Sequence, residues 1–370
     1  MSSVHNAKAW GSKSHFVHFS VTSSQRSQLR SIRVDLHPDR IIYTPLGPQN
    51  SDGRQAFKLQ ADNFLVFSVE HDNQYYWLSI PDPDNEQHTL IFSTKIVQRT
   101  PLNPSNLLYT PHDLVVRLGS LIPVHWHIFS TCSAASYMIT DRSSRIGPDG
   151  KNRIEETLIA EGKGLGHMEK NWGRGFPDSR TWMQGFSQSS SEYGLSPTRV
   201  DQTASLTLAG GTSGIAGINS YLVAYRSPAL NLRWDFAVPW TILFRIPGIR
   251  TLGPFCQEIV SREDTSVIID VSTFTRRLVI TAKSAENGSD WLPLDCPLIN
   301  GHGNITARET FRADIDVMVY VKPLRLIWNP WAWALVERRT FREAGFELGG
   351  GFRTDSMLKE DQNLEMKKTR

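Results

Sequence analysis

Cysteine is scarce: the chain has three, Cys132, Cys256 and Cys296, an odd number at wide spacing. None forms a CxxC pair, so zinc ribbons and dithiol redox centres are excluded and reduced core thiols are expected. No segment is long and apolar enough to span a bilayer as a helix, which predicts no transmembrane segment. Charge of one sign is also missing. The formal net charge is +3, with acidic and basic residues interspersed, so the electrostatic footprint of a DNA- or RNA-binding protein is absent. There is no Gly-rich phosphate loop and no clustered metal-ligand motif. Met1 to Lys13 is polar and lacks the apolar stretch of a secretory leader, so a cytoplasmic location is expected. Asn287-Gly-Ser289 and Asn304-Ile-Thr306 match the glycosylation acceptor pattern, which matters only on a secretory route.

What the chain does have is 370 residues, 39 % of them hydrophobic and 21 % charged. That is more than one core usually serves, so two domains or two halves sharing an interface are expected. Short or alternating apolar runs bounded by turn residues mark strands at Ser31–Leu36, Asn63–Val69, Tyr75–Ile80, Thr89–Val97, Leu114–Leu118 and Val124–Phe129. The same signals recur at Trp182–Phe186, Ala204–Ala209, Tyr221–Tyr225, Leu232–Phe236, Ser266–Ser272, Arg277–Lys283 and Asp314–Lys322. Gly and Pro interrupt nearly every candidate helix, so the reading is all-β. Closing such sheets removes exposed edges, and a barrel also makes a cavity.

Asp141 to Arg153, with Gly147, Pro148 and Gly150, reads as a hairpin loop, and a boundary is placed near Gly164. This gives an N-terminal β domain over 1–164, a C-terminal one over 165–352, and a charged, unpatterned tail over 353–370 expected to be mobile. Leu324 to Glu337 breaks the strand pattern by crowding Trp328, Trp331 and Trp333 between prolines. Such a patch fits a packed loop, a pocket wall, a membrane-surface contact or the seam of a homodimer.

One segment concentrates unusual residues: His167-Met-Glu-Lys-Asn-Trp-Gly-Arg-Gly-Phe-Pro-Asp-Ser-Arg-Thr-Trp-Met-Gln184. Glu169 is the first candidate acid, because a carboxyl group in an apolar barrel has its pKa raised and stays protonated near neutrality. Lys170 works against this if it faces the same way. Equally, Glu169, Lys170 and Asn171 can form a buried network that fixes the crossing between the two halves. Asn171 and Gln184 each donate and accept, which suits orienting a phenol or carbonyl oxygen. Trp172, Trp182, Trp234 and Trp240 can present π faces to a cationic transition state, or simply fill core. His125 and His127 alternate along a strand and so share one face. No third ligand accompanies them, so no metal is assigned and they are taken as substrate-binding. Glu347 is a second candidate acid, a partner for Lys170 or Arg226, or a strand-end charge.

The run Glu169-Lys-Asn-Trp-Gly-Arg-Gly-Phe-Pro177, followed by Trp182-Met-Gln184, resembles the signature of the tocopherol cyclase family. Pro123-Val-His-Trp126, Leu206-Thr-Leu-Ala-Gly-Gly211, Arg233-Trp234 with Pro239-Trp240, and Ala344-Gly-Phe-Glu-Leu-Gly-Gly350 are similar to further family segments in the same order. The N-terminal third departs, offering only Ala9-Trp10 and His15-Phe-Val-His-Phe19 where family members open with a Phe-Glu-Gly-Trp-Tyr-like strand. The resemblance implies two lipocalin-like halves, a sandwich or barrel pair enclosing a hydrophobic pocket. It also implies cofactor-independent, acid-assisted closure of a prenylated quinol, with a member of fungal secondary metabolism as the expected setting. Related lipocalin-like proteins catalyse pericyclic closures, including Diels-Alder reactions, so a pericyclase is the alternative and a non-catalytic carrier is another. The expected partner is a hydrophobic small molecule: a prenylated aromatic, polyketide or terpenoid.

Overall fold

A computed structural model describes residues 2–6, 15–21, 32–48, 56–62, 64–70, 73–82, 85–96, 99–106, 109–110, 124–146, 152–173, 177–187, 203–212, 218–244, 253–284, 291–295 and 305–368. The chain is all-β, in antiparallel sheets, as its alternation predicts. A small sheet holds β1 (Ser2–Asn6), β2 (His15–Val21) and β3 (Ile32–Leu36). A second, seven-stranded meander runs through β4 (Ile41–Pro45), β5 (Phe57–Ala61), β6 (Leu65–Glu70), β7 (Asn73–Asp82), β8 (Asn85–Ile96), β9 (Val124–Ile146) and β10 (Asn152–Gly173). Val17 and Phe19 of the small sheet pack onto Leu65, Leu78, Ile80 and Leu90, which gives the N-terminal half its own core.

The third sheet has eleven strands. Its first members are β11 (Ser179–Ser187), β12 (Ala204–Thr212), β13 (Ile218–Ser227), β14 (Leu232–Phe236), β15 (Leu243–Phe244) and β16 (Cys256–Ser261). They are joined by β17 (Ser266–Ser272), β18 (Arg276–Ser284), β19 (Leu292–Asp295), β20 (Ile305–Val321) and β21 (Ala334–Gly350). The order is β14-β13-β12-β11-β21-β20-β18-β17-β16, with β15 on β13 and β19 on β20. The sheet curls until its ends meet: the Glu258 carboxylate on β16 accepts from Tyr221 Oη (2.6 Å) and Asn219 Nδ2 (2.9 Å) on β13. Alternate residues of every strand point inward, and Met183, Leu206, Tyr221, Tyr225, Phe236, Phe341 and Phe346 fill the interior as one core.

The glycines flanking β11 are structural. Gly350 sits at φ 57°, and a Cβ there would lie 1.7 Å from the Asp178 carbonyl oxygen. Gly350→Ala is therefore expected to cost about 3 kcal/mol, read as a lower denaturation midpoint, and an unchanged midpoint would contradict this packing. Gly349 leaves the space in which the Arg180 side chain lies, with a Cβ there 2.7 Å from Arg180 Cγ.

Three expectations need correction. Asp141 to Ile146 and Asn152 to Arg153 belong to β9 and β10, because the hairpin strands are longer than the turn residues suggest. The boundary near Gly164 falls inside β10, whose hydrogen bonds to β9 continue on both sides of it. The tail expected to be mobile contains a helix, α1 (Asp355–Lys368). It is fastened by ion pairs, since Asp361 meets Arg308 and Arg353, each at 2.7 Å. The expected strand at Leu114–Leu118 lies outside the described residues.

Candidate functional site

The distinctive segment lies where the two large sheets touch. On β9, Trp126 and Ile128 point to one side and pack against Ala209, Leu222 and Ala224 of the eleven-stranded sheet. The register pairs Glu169 with Ile128 and Asn171 with Trp126, so these two β10 side chains face the same seam. On β11, Trp182, Gln184 and Phe186 alternate onto the opposing wall. Arg226 extends the seam by pairing with Asp235 (2.8 Å) and donating to the Leu102 carbonyl oxygen (3.2 Å).

At the centre, Glu169 Oε2 accepts from His167 Nε2 (3.0 Å) and Trp182 Nε1 (3.1 Å), while Oε1 accepts from Asn171 Nδ2 (3.3 Å). Burial acts to raise the Glu169 pKa, but the His167 bond and charge, with the Trp182 and Trp126 indoles, outweigh it and hold the carboxyl below its ordinary value. Glu169 is therefore a carboxylate. The expectation of a protonated acid is overturned, because three donors reach the group where an apolar wall was anticipated. Lys170 is not the reason: it pairs with His127 in register and belongs to the other face of the sheet.

The cluster holds more donors than it uses internally. With Nε2 committed to Glu169, His167 leaves its buried Nδ1 without a partner, and the His167 side chain is only 7 % exposed. Trp126 Nε1 is buried and forms no hydrogen bond of ordinary geometry. Gln184 Nε2 is likewise buried and unpaired, and Gln184 stands between Trp182, bonded to Glu169, and Phe186, whose ring centroid is 6.3 Å from that of His167. A buried polar group without a partner costs free energy, so the unpaired His167 Nδ1 and Gln184 Nε2 make this cluster the candidate place to receive a polar atom. Asn171 is exposed, so the cluster reaches solvent at that edge.

Of the remaining expected site residues, His125, His127, Trp234 and Trp240 separate from this centre, while Glu347 lies opposite Trp182 in register. His125 and His127 belong to the opposite face of β9. His127 stacks edge-on against Phe129 with centroids 4.5 Å apart, and no group of three or more metal ligands occurs among the described residues. Trp234 is in the barrel core, with Arg276 over its ring. Trp240 forms a three-ring cluster with Phe255 and Phe274. Neither tryptophan contributes to the seam, because Trp234 points into the barrel interior and Trp240 packs with Phe255 and Phe274. Trp172 has its backbone in β10, and its side chain lies outside the described ones. Glu347 pairs with Arg180 (2.9 Å), in place of the expected Lys170 or Arg226. Arg180 crosses Gly349 to reach it, which gives the Glu-Leu-Gly-Gly segment a structural reason.

Sequence reasoning missed His167 and Trp126. The signal was present in the alternation His167-x-Glu169-x-Asn171, which puts three hydrogen-bonding side chains on one strand face. A groove of about 520 Å³ lined by Tyr75, Lys95, Tyr137, Met138, Glu161 and Lys163 lies on the N-terminal sheet and includes none of these residues.

No family model matches the chain, and no curated protein matches it. The resemblance of Glu169–Gln184 to tocopherol cyclases is thus not carried by any family match. Among solved structures, the chain is similar to the crystal structure of CghA, at 9 % identity over 91 % of this chain and 79 % of that one, with TM-score 0.40. It is also similar to a putative AttH from Nitrosomonas europaea, at 12 % identity over 91 % and 86 %, with TM-score 0.35. Kievitone hydratase from Nectria haematococca matches at 10 % identity over 78 % and 86 %, with TM-score 0.26. Likeness at this level says nothing about chemistry.

Proposed function

We propose that the chain is a cofactor-independent cyclase of a hydrophobic intermediate, acting at the seam around His167 and Glu169. The observation that carries this reading is the pair of buried nitrogen atoms, His167 Nδ1 and Gln184 Nε2, left without a hydrogen-bond partner among the described residues beside an anionic Glu169. In the neutral imidazole the carboxylate holds Nε2–H toward itself, so Nδ1 carries the lone pair turned to a substrate. Closure then proceeds by addition of an O–H across a C=C bond conjugated to a carbonyl, the new O–C bond forming at the β carbon as the π electrons move to the carbonyl oxygen. His167 Nδ1 takes the proton as oxygen attacks carbon, and the enolate oxygen is held by the Gln184 N–H group. The imidazolium returns the proton to the α carbon. No atom is gained or lost, which makes the net reaction an isomerisation. Protonation of an unactivated alkene, the step in closing a prenylated quinol, fits less well, because Glu169 is held as a carboxylate and so is not the acid that step needs.

A pericyclic closure is the second reading. It is favoured by Gln184, whose unpaired amide N–H is a donor that does not titrate and can polarise a carbonyl without moving a proton. The test is to present a prenylated aromatic or polyene bearing a conjugated carbonyl and measure ring formation and stereochemistry against the spontaneous reaction. An enzyme gives one stereoisomer, and Gln184→Ala is expected to lower the rate by about 10²-fold. Substrate bound but returned unchanged would make the chain a carrier and end the proposal.

A further inference from the structure

The hairpin connection between β20 and β21 exposes apolar side chains that no neighbour covers among the described residues. Trp328 and Trp331 are 88 % and 90 % exposed, and Leu324 is 72 % exposed. This is not a slack loop. A 3₁₀ turn covers Leu324–Leu326, and the backbone closes on itself through Asn329 N to the Leu326 oxygen and Ala332 N to the Asn329 oxygen. The Asn329 side chain accepts from Trp331 N (2.9 Å). From beneath, buried Lys322 lies 4.2 Å from the Trp333 ring centroid and donates to the Ile327 oxygen. The backbone that carries the indoles is already ordered, so less ordering entropy is lost when something receives them.

The surroundings indicate what that is. Arg276 stands opposite Val321 at the hairpin's base, with half-exposed Phe274 in the adjoining turn. Arg325 is exposed within the connection, and Arg233 lies beside Trp234, over which Arg276 is placed. Among the described residues none of these three arginines forms an ion pair. Between Lys322 and Ala334 there is no Asp or Glu, and Glu337 is occupied by Tyr225, Ser227 and Arg339. Protruding tryptophan and leucine ringed by arginine, without a competing anion, is the composition that seats at the headgroup boundary of an anionic bilayer. A symmetric contact with a second copy would bring Arg276 and Arg325 toward their own images, which opposes that occupant.

We propose that the Leu324–Ala334 connection is a membrane-surface anchor, inserting Trp328 and Trp331 among the headgroups of anionic lipids. It stands independently of the chemistry assigned to His167 and Glu169, and it would bring the protein to the phase in which hydrophobic substrates partition.

Sedimentation with phosphatidylcholine vesicles, with and without phosphatidylserine, tests it. The wild-type chain is expected to bind the phosphatidylserine vesicles more strongly, with affinity falling as salt rises. Trp328→Ser with Trp331→Ser should weaken that binding at least about tenfold with an unchanged melting temperature, since both side chains are exposed. Arg276→Gln with Arg325→Gln should remove the preference for the anionic vesicles. Equal or no binding to the two vesicle types overturns the proposal. So does tryptophan-independent binding, or a concentration-dependent dimer abolished by the tryptophan substitutions in a chain that ignores vesicles.

Discussion

Replacing His167 with asparagine should slow ring closure by about 10²–10⁴-fold, the largest functional effect expected of any single change at the seam. Asparagine keeps a polar side chain on β10 but offers no lone pair with the basicity of imidazole, so it tests proton transfer more than packing. Substrate binding should change little, because Gln184 remains. The measurement is single-turnover closure with saturating substrate, accompanied by a binding titration. A variant that closes the ring at the wild-type rate would remove the proton-transfer route and leave the pericyclic one. Glu169→Gln is a different test. It deprives two buried N–H donors of a charged acceptor, at about 2 kcal/mol of stability, so it should lower the denaturation midpoint as well as the rate.

The second large effect is on stability against acid. Burial, with the charges of Arg99 and Lys170, lowers the His127 pKa from 6.5 to about 4. The folded protein therefore binds this proton less readily than the unfolded chain. The stabilisation is complete above pH 6.5 and is lost as pH falls toward about 4, where it amounts to about 3 kcal/mol. Urea midpoints measured across that interval should fall, and His127→Phe, which can pack against Phe129, should flatten the fall. If the variant loses stability as steeply as the wild type between those two values, the assignment to His127 is wrong. Glu169 acts in the same direction at lower pH. Its carboxyl is held below its ordinary 4.5, so its contribution is present above that value and disappears only as pH drops through the depressed one.

How far the sequence reveals these features depends on what holds each element. Leu232–Phe236 and Ser266–Ser272 are recovered to the residue, because the barrel interior rewards strict alternation. Cys256–Ser261 is missed because its pattern is inverted: Glu258 faces inward onto Tyr221, and Ile259 faces solvent. The α1 helix is missed because ion pairs to Asp361 hold it, not an apolar stripe. At the site, Glu169 stands out by its neighbours in sequence. Its ionisation does not, since that is decided by Trp182 on another strand and by a histidine whose role depends on strand alternation. Residue type alone does not divide His125 and His127, which share the other face of β9, from Trp234 in the barrel core and Trp240 in a cluster with Phe255 and Phe274.

The β9–β10 hairpin has a consequence for how this architecture can be inherited. Strands of 23 and 22 residues, each roughly 75 Å long at full extension, complete the N-terminal meander and also furnish one wall of the seam. The irregularities between Leu158 and Ala160 and between Gly166 and Met168 let one ribbon bend to serve both. Neither half can thus be cut away as a module, shuffled into another gene or expressed alone, since any breakpoint in that ribbon orphans the edge of one sheet or strips the other of its partner.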